Sequence, residues 1–325
     1  MQQDQRARIL LTRRWPHAVE AEMQTRFGAT LNANDTPMSA DTLAHAMTEY
    51  DVLCPTVGDP LPAGVLDVPG RRVRLIANYG VGVDHIDLDA CRRLGIAVTN
   101  TPGVLTEATA DLAITLMLMA MRRAGEGERE LRAGEWTGWR PTHLVGTAPQ
   151  GKVLGLIGWG RIARAMARKA HDAFGMEILF HARRPMTPEA GDPPAVQAAS
   201  LDALLGAADV VSLHVPGGAD TRHLIDAAAL ARMKQGAFLI NTARGSVVDH
   251  AALAGALRSG HLGGAGLDVF PAEPAIPEGL ADAPGAVLLP HLGSATRETR
   301  EAMGRKALAN VAAWLAGQDL PDRVA

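Results

Sequence analysis

The chain is poor in cysteine: Cys54 and Cys91 are the only two in 325 residues. They stand far apart, with no CxxC and no Cys/His cluster, which excludes a disulfide scaffold and a cysteine-based zinc site. Both read as small buried apolar residues. An excess of charge of one sign is also missing. The formal net charge is −3, with Lys and Arg scattered, so there is no basic tract for nucleic acid or an anionic membrane. Long apolar runs are absent too. The longest, from Leu112 to Met121, is bounded by Asp111 and by Arg122 and Arg123. It falls short of the roughly 20 apolar residues that span a bilayer, and it reads as a buried helix that could serve a subunit interface. Met1-Gln2-Gln3-Asp4-Gln5-Arg6 is polar, so no signal peptide is expected there and a cytoplasmic place of work is. There is no internal repeat.

What is present is size and regular alternation. At 325 residues, 47% apolar and 21% charged, the chain suits two globular domains. Short β-branched and Leu-rich runs alternate with helical patterns, the signature of parallel sheets covered on both faces. Strands are expected at residues 8–11, 52–55, 75–78 and 97–99, with helices near 19–27, 40–47 and 87–94. After a helix over 105–123 come strand 153–157, helix 161–174, and strands 177–181, 210–214 and 237–241. Helix 250–259, strands 264–268 and 286–289, and a last helix at 296–316 complete the pattern. The Pro- and Ala-rich stretch 185–199 reads as a surface loop. Turn clusters at Asn100-Thr101-Pro102-Gly103 and His291-Leu292-Gly293-Ser294 are the candidate crossings. They divide the chain into residues 1–101 with 294–325, and 102–293. A ligand is then expected in the cleft between domains.

The sharpest local signal is Val153-Leu154-Gly155-Leu156-Ile157-Gly158-Trp159-Gly160-Arg161-Ile162-Ala163. An apolar strand meets G-x-G-x-x-A and a helical pattern follows. Gly158 makes the tight turn, Gly160 admits a pyrophosphate to the backbone, and small Ala163 lets helix and strand touch. The helix N-terminus offers free N–H groups to phosphate. The alternative, a mere tight turn, does not explain the strand–loop–helix context. An NAD site places an acid at the end of the next strand, about 20 residues on. Here that place reads His181-Ala182-Arg183-Arg184-Pro185. With no acid present and two guanidinium forks suited to phosphate, NADP(H) is expected over NAD(H), with NAD(H) still possible. Two solvated loop arginines are the bland alternative.

Three further motifs follow strands: Asn241-Thr242-Ala243-Arg244-Gly245, Gly266-Leu267-Asp268-Val269-Phe270-Pro271-Ala272-Glu273-Pro274, and Leu289-Pro290-His291-Leu292-Gly293-Ser294-Ala295-Thr296. Reducing a 2-keto acid needs a cation for the carboxylate, an acid for the forming alkoxide, and an anion that keeps that acid charged. Arg, His and Glu can supply these parts. Taken singly, each has an ordinary reading as an ion-pair, loop or surface residue.

Together, and in this order behind a nucleotide loop, they resemble the D-2-hydroxyacid dehydrogenase family over nearly the whole chain. Asn78-Tyr79-Gly80-Val81-Gly82-Val83-Asp84-His85-Ile86-Asp87 and Thr99-Asn100-Thr101-Pro102-Gly103 add to the match. The form of the first loop, Trp136-x-x-Trp139-x-Pro141 and the Arg183-Arg184 pair are most similar to glyoxylate and hydroxypyruvate reductases. The resemblance implies two Rossmann-like doubly wound α/β domains, the substrate domain flavodoxin-like and discontinuous, and a homodimer. It implies that Arg244 clamps the substrate carboxylate, that His291 protonates the keto oxygen, and that Glu273 holds the other ring nitrogen and favours imidazolium. Tyr79, Val81 and Gly82 would lie on the substrate side. Gly158, Trp159, Gly160, Arg161, Ile162, Ala182, Arg183, Arg184, Thr242 and Ala243 would serve the dinucleotide. Thr109, Asp268, Gly293 and Ser294 would line the nicotinamide, and His214, Val215, Pro216 and Thr221 would belong to the loop beside the dinucleotide. No metal is implied. Trp139 reads by default as core, or else as the lining of a substrate pocket across a dimer. Ala182 departs from the acid of NAD-specific members. The chain ends soon after the last helix, so the regulatory domain of long phosphoglycerate dehydrogenases is not expected. The alternatives are a member acting on 3-phosphoglycerate, D-lactate or a larger keto acid, and a non-enzymatic dinucleotide-sensing partner protein.

Overall fold

The computed structural model describes residues 7–325. The polar residues 1–6, and the reading made of them, lie outside that range. The chain opens with β1 (Ile9–Leu11), α1 (His17–Phe27), β2 (Thr30–Leu31), α2 (Ala40–Glu49) and β3 (Val52–Cys54). It continues with α3 (Ala63–Leu66), β4 (Leu75–Ala77), α4 (Leu88–Leu94) and β5 (Ala97–Thr99). Then follow α5 (Thr106–Met121), α6 (Ala124–Ala133), β6 (Val153–Ile157), α7 (Arg161–Phe174), β7 (Glu177–His181) and β8 (Ala195–Gln197). Next come α8 (Leu201–Ala207), β9 (Val210–Leu213), α9 (Ala227–Arg232), β10 (Ala237–Asn241) and α10 (His250–Arg258). Strands β11 (Leu262–Leu267) and β12 (Ala286–Leu288) and helix α11 (Arg297–Leu315) close the chain.

The chain forms two compact units. The first runs to Leu105 and resumes at Ala295–Ala325, and the second is Thr106–Ser294. The first crossing falls at 105/106 rather than 101/102 because Val104 and Leu105 pack onto the first unit's core. The second falls at 294/295 rather than 293/294.

In the first unit the sheet order is β2-β1-β3-β4-β5, all parallel. That is the order of the flavodoxin-like doubly wound fold. Period-2 alternation sends neighbouring residues to opposite faces. Ile9, Leu11, Val52, Cys54, Leu75 and Ala77 thus enter one core, shared with Met303, Ala307 and Val311 of α11. Leu10, Leu53 and Ile76 enter the other, under α2 and α4. Cys54 and Cys91 are buried free thiols. Burial raises both, Cys91 to about 11, so neither is a thiolate near neutral pH.

The second unit has seven parallel strands in the order β12-β11-β10-β9-β6-β7-β8. Its order reverses between β6 and β9, so the crevice outside their carboxyl ends is the place for a ligand. Leu154, Leu156, Val210, Phe238 and Ile240 pack on one face with α5 and α7. Val211, Leu213, Leu239, Ala265 and Leu267 pack on the other with α8, α9 and α10. The apolar run of α5 finds its cover inside this unit, with Ala113, Leu116, Met117 and Ala120 all buried. No subunit interface is needed to explain it.

Strands β6, β7 and β10 and helix α7 have the expected bounds. The short elements β2, α3, α8 and α9 give too few residues for a period to show. Stretch 185–199 is not wholly a loop: Ala195–Gln197 is the edge strand β8, paired with β7. Trp139 is not core, being 82% exposed, and α6 before it has no buried residue. Among the described residues no helix is long and apolar enough to cross a membrane, and no group of three or more His, Cys, Asp or Glu could hold a metal ion.

Candidate active site

The second unit gathers its chemistry at the carboxyl ends of its strands. Strand β6 turns at Gly158, whose φ is +97°. A Cβ there would stand 2.6 Å from the His214 carbonyl oxygen, so only glycine fits both the conformation and the space. Gly160 caps α7 without a side-chain partner, and a Cβ on it would meet nothing within 4 Å. Helices α2, α4, α8, α9, α10 and α11, by contrast, are capped by Ser, Asp or Thr side chains. The first turn of α7 at Arg161 and Ile162 is therefore open above a glycine, and Ala163 is fully buried beneath it. This cradle fits a pyrophosphate. Trp159 lies between the two glycines. Its indole is buried and stacked on Phe180 at 4.2 Å between centroids, a core role that the sequence did not reveal.

After β7, Ala182 is half-buried against the core, while Arg183 and Arg184 are exposed. Arg183 lies 3.3 Å from Asp220 across the loop that follows β9. That loop carries the other expected dinucleotide neighbours. Val215 borders Gly158. Thr221 Oγ1 donates to the carbonyls of Pro216 and Gly218, which holds the loop closed. The His214 ring is buried beside Ser212 Oγ at 3.0 Å and Met166 Sδ at 3.3 Å. Burial lowers its pKa to about 4, so the ring is a neutral packing group.

The loops after β10, β11 and β12 are tied into one body. Asn241 is fully buried; its amide donates to the Arg244 carbonyl at 2.9 Å and accepts from Ala243 N–H at 3.0 Å. Arg244 also donates to the Ala243 carbonyl at 2.7 Å. A Cβ on Gly245 would stand 2.1 Å from the Phe270 carbonyl carbon, so this turn lies flat against the next loop. The charge of Arg244 is thereby felt at Glu273. Thr242 Oγ1 is buried with no partner among the described residues, an acceptor and donor to spare beside the crevice.

Asp268, 1% exposed, accepts from Leu292 N–H at 2.6 Å and Gly293 N–H at 2.8 Å, while its own carbonyl accepts from His291 N–H at 2.9 Å. Burial raises its pKa against the pull of those two N–H groups. Thr109 Oγ1 donates to the Gly293 carbonyl at 3.0 Å. Ser294 ends the unit. Held this way, His291 has a φ of +56°, a conformation that costs a non-glycine residue about 1–3 kcal/mol and persists where surroundings enforce it. Its Nδ1 lies 2.8 Å from Glu273 Oε2, and Glu273 Oε1 accepts from Phe270 N–H at 3.0 Å. Burial alone would raise the Glu273 pKa, but the His291 hydrogen bond, the Phe270 N–H and the Arg244 charge together hold it below the ordinary value. The carboxylate thus fixes Nδ1 as the protonated nitrogen and leaves Nε2 outside the pair.

The first unit holds its own expected residues on the loop after β4. Asn78 Nδ2 donates to the carbonyls of Gly80 and Gly82, and Asn100 Nδ2 to that of Val81. Tyr79, expected on the substrate side, has its side chain buried. Its ring packs on Trp15 and its hydroxyl donates to the Arg300 carbonyl, with burial raising its pKa to about 12.

Residues 114–293 match the model of the D-isomer specific 2-hydroxyacid dehydrogenase NAD binding domain. The chain is 42% identical over 286 residues to a glyoxylate reductase of Thermococcus litoralis, covering 87% of this chain and 86% of that protein. It is 37% identical over 314 residues to a glycerate dehydrogenase of Hyphomicrobium methylovorum, covering 96% and 97%. Among solved structures it is similar to an NADPH-dependent glyoxylate/hydroxypyruvate reductase of Sinorhizobium meliloti, crystallised with NADP and malonate. There the TM-score is 0.86 at 36% identity, over 98% of this chain and 97% of that one.

Proposed function

The chain belongs to the D-isomer specific 2-hydroxyacid dehydrogenases, and on that premise we propose that it reduces a small 2-keto acid, glyoxylate or hydroxypyruvate, with NADPH preferred over NADH. The observation that carries this reading is the His291–Glu273 pair at 2.8 Å, with Arg244 close enough for its charge to act on Glu273.

Arg244 binds the substrate carboxylate with its guanidinium fork and so orients the keto group. The reduced nicotinamide ring, when bound, supplies the hydride to the keto carbon. His291 Nε2 hydrogen-bonds the keto oxygen and gives up its proton as negative charge develops there. Glu273 stabilises the charged ring before transfer and keeps its orientation. Asp268 and Thr109 set the 291–293 loop.

For the dinucleotide, the cradle at Gly158–Ile162 takes the pyrophosphate, and Arg183 and Arg184 take a 2′-phosphate. The Arg183–Asp220 pair is no obstacle. Both side chains are more than 80% exposed, and such pairs contribute only about 0–1 kcal/mol. R183A/R184A should weaken NADPH about 10-fold or more while leaving NADH within about 2-fold, read as KM under saturating glyoxylate. Equal losses for the two would remove the 2′-phosphate assignment. A panel of glyoxylate, hydroxypyruvate, pyruvate and larger keto acids tests the substrate range. The two smallest hydrophilic acids should lead; a clear preference for a larger keto acid would displace glyoxylate and hydroxypyruvate.

A homodimer is also proposed. Leu131, Trp136, Trp139 and Val145 expose their side chains within one stretch of chain after α5, and a partner subunit would cover them.

A further inference from the structure

We infer that Gln197 is the positioning residue that fixes the turn at 182–186, and with it the two arginines, for a 2′-phosphorylated dinucleotide. This rests on the reading of Arg183 and Arg184 given above. Gln197 is the last residue of β8, the edge strand, where it stands opposite Phe180 of β7. Beyond this point the ladder ends, with Ala198 N–H donating to the Phe180 carbonyl at 2.8 Å. The Gln197 side chain then takes over the pairing that the ladder no longer supplies. Its Nε2 donates to the Ala182 carbonyl at 3.2 Å and to the Arg184 carbonyl at 2.9 Å, and its Oε1 accepts from Met186 N–H at 2.9 Å.

Only one orientation of the amide satisfies all three partners, two carbonyls and one N–H. The contacts fall on residues 182, 184 and 186, bracketing the two arginines, whose side chains are exposed. An arginine on a loose loop gives up conformational freedom when it binds phosphate, and a turn already held in shape loses less. The amide is also neutral. A carboxylate could not donate to the two carbonyls and would set a negative charge near the phosphate. The far end of the same stretch is tied separately, Arg164 of α7 meeting Asp192 and Glu189 at 2.8 Å each. Gln197 is therefore the side chain that ties the backbone of the arginine turn at three points.

The test measures Kd for NADP+ and for NAD+ by titration calorimetry, together with the melting temperature. The proteins are the wild type, Q197M, Q197E, R183A/R184A and the Q197M/R183A/R184A triple variant. Met has the length of Gln but makes none of the three bonds; Glu keeps only the acceptor for Met186 N–H. Both single variants should weaken NADP+ about 5- to 10-fold and NAD+ less than about 2-fold, with the melting temperature nearly unmoved and kcat at saturating NADPH retained. Because Gln197 acts through the arginines, Q197M should add nothing in the R183A/R184A background. A Q197M that weakens both dinucleotides alike, weakens neither, or adds fully to the arginine loss overturns the inference. Failure of the arginine reading shows separately, as R183A/R184A losing NADP+ and NAD+ equally. In that case a Q197M that is also indifferent to the 2′-phosphate removes both claims. Indifference of Q197M alone removes only the role of Gln197.

Discussion

Replacing His291 with alanine should lower kcat for keto-acid reduction about 100- to 10,000-fold, the range spanned by general acid catalysis. The reason is the geometry of one loop. Asp268 takes two of its N–H groups and gives its carbonyl to the third, and this pins His291 at a φ of +56°. Glu273 then claims Nδ1 at 2.8 Å, so Nε2 has a fixed place outside the pair. A proton delivered only as the alkoxide forms acts in the transition state, so the loss belongs in kcat rather than in KM. Alanine can hardly unfold the protein. The His291 side chain is one-third exposed, and the loop is anchored by backbone N–H groups that alanine retains. Steady-state kinetics beside an NADPH titration would separate the two outcomes. Unchanged turnover sinks the role of His291, and lost NADPH affinity with normal turnover would make it a cofactor residue.

Arg244→Ala should cost about 3–5 kcal/mol in kcat/KM, or about 100- to 5,000-fold, because the fork both binds the carboxylate and orients the carbonyl. The fork is held from behind. Asn241 grips the Arg244 carbonyl, the guanidinium reaches the Ala243 carbonyl, and Gly245 lets the turn lie on Phe270. Lysine should restore only part of the loss, since a point charge cannot make two parallel bonds. An aldehyde without a carboxylate is the control: its slow reduction should be nearly indifferent to R244A. If glyoxylate and that aldehyde suffer equally, Arg244 does not bind the carboxylate.

How far these sites could be seen beforehand depended on how local their causes are. Strand β6, the glycines and α7 share one unbroken stretch, where an apolar run, a tight turn and a 3.6-residue period all coincide, so they were legible from the residues. His291 and Glu273 are 18 residues apart and Asp268 and Leu292 are 24 apart. Their meeting is a product of parallel strands ending on one edge, and the three polar residues carried meaning only through the family pattern. The loop-anchoring work of Asp268 and of Asn241 was not legible, because hydrogen bonds to backbone groups of a distant loop leave no trace in spacing. Aromatic burial was not legible either. Trp159 sits among exposed glycine-loop positions and is buried, while Trp139, read as core, is 82% exposed. Gln197 was hidden in a Pro- and Ala-rich stretch that looked structureless, and only its register opposite Phe180 gives it a purpose.

The most direct measurement is the initial rate of NADPH oxidation with glyoxylate, run beside NADH under the same conditions. Rapid oxidation of NADPH and slow oxidation of NADH is the expected result. Rapid NADH and slow NADPH would keep the reaction and contradict the two-arginine site. No substrate-dependent oxidation of either, with glyoxylate and then with hydroxypyruvate, would contradict the proposed reduction itself.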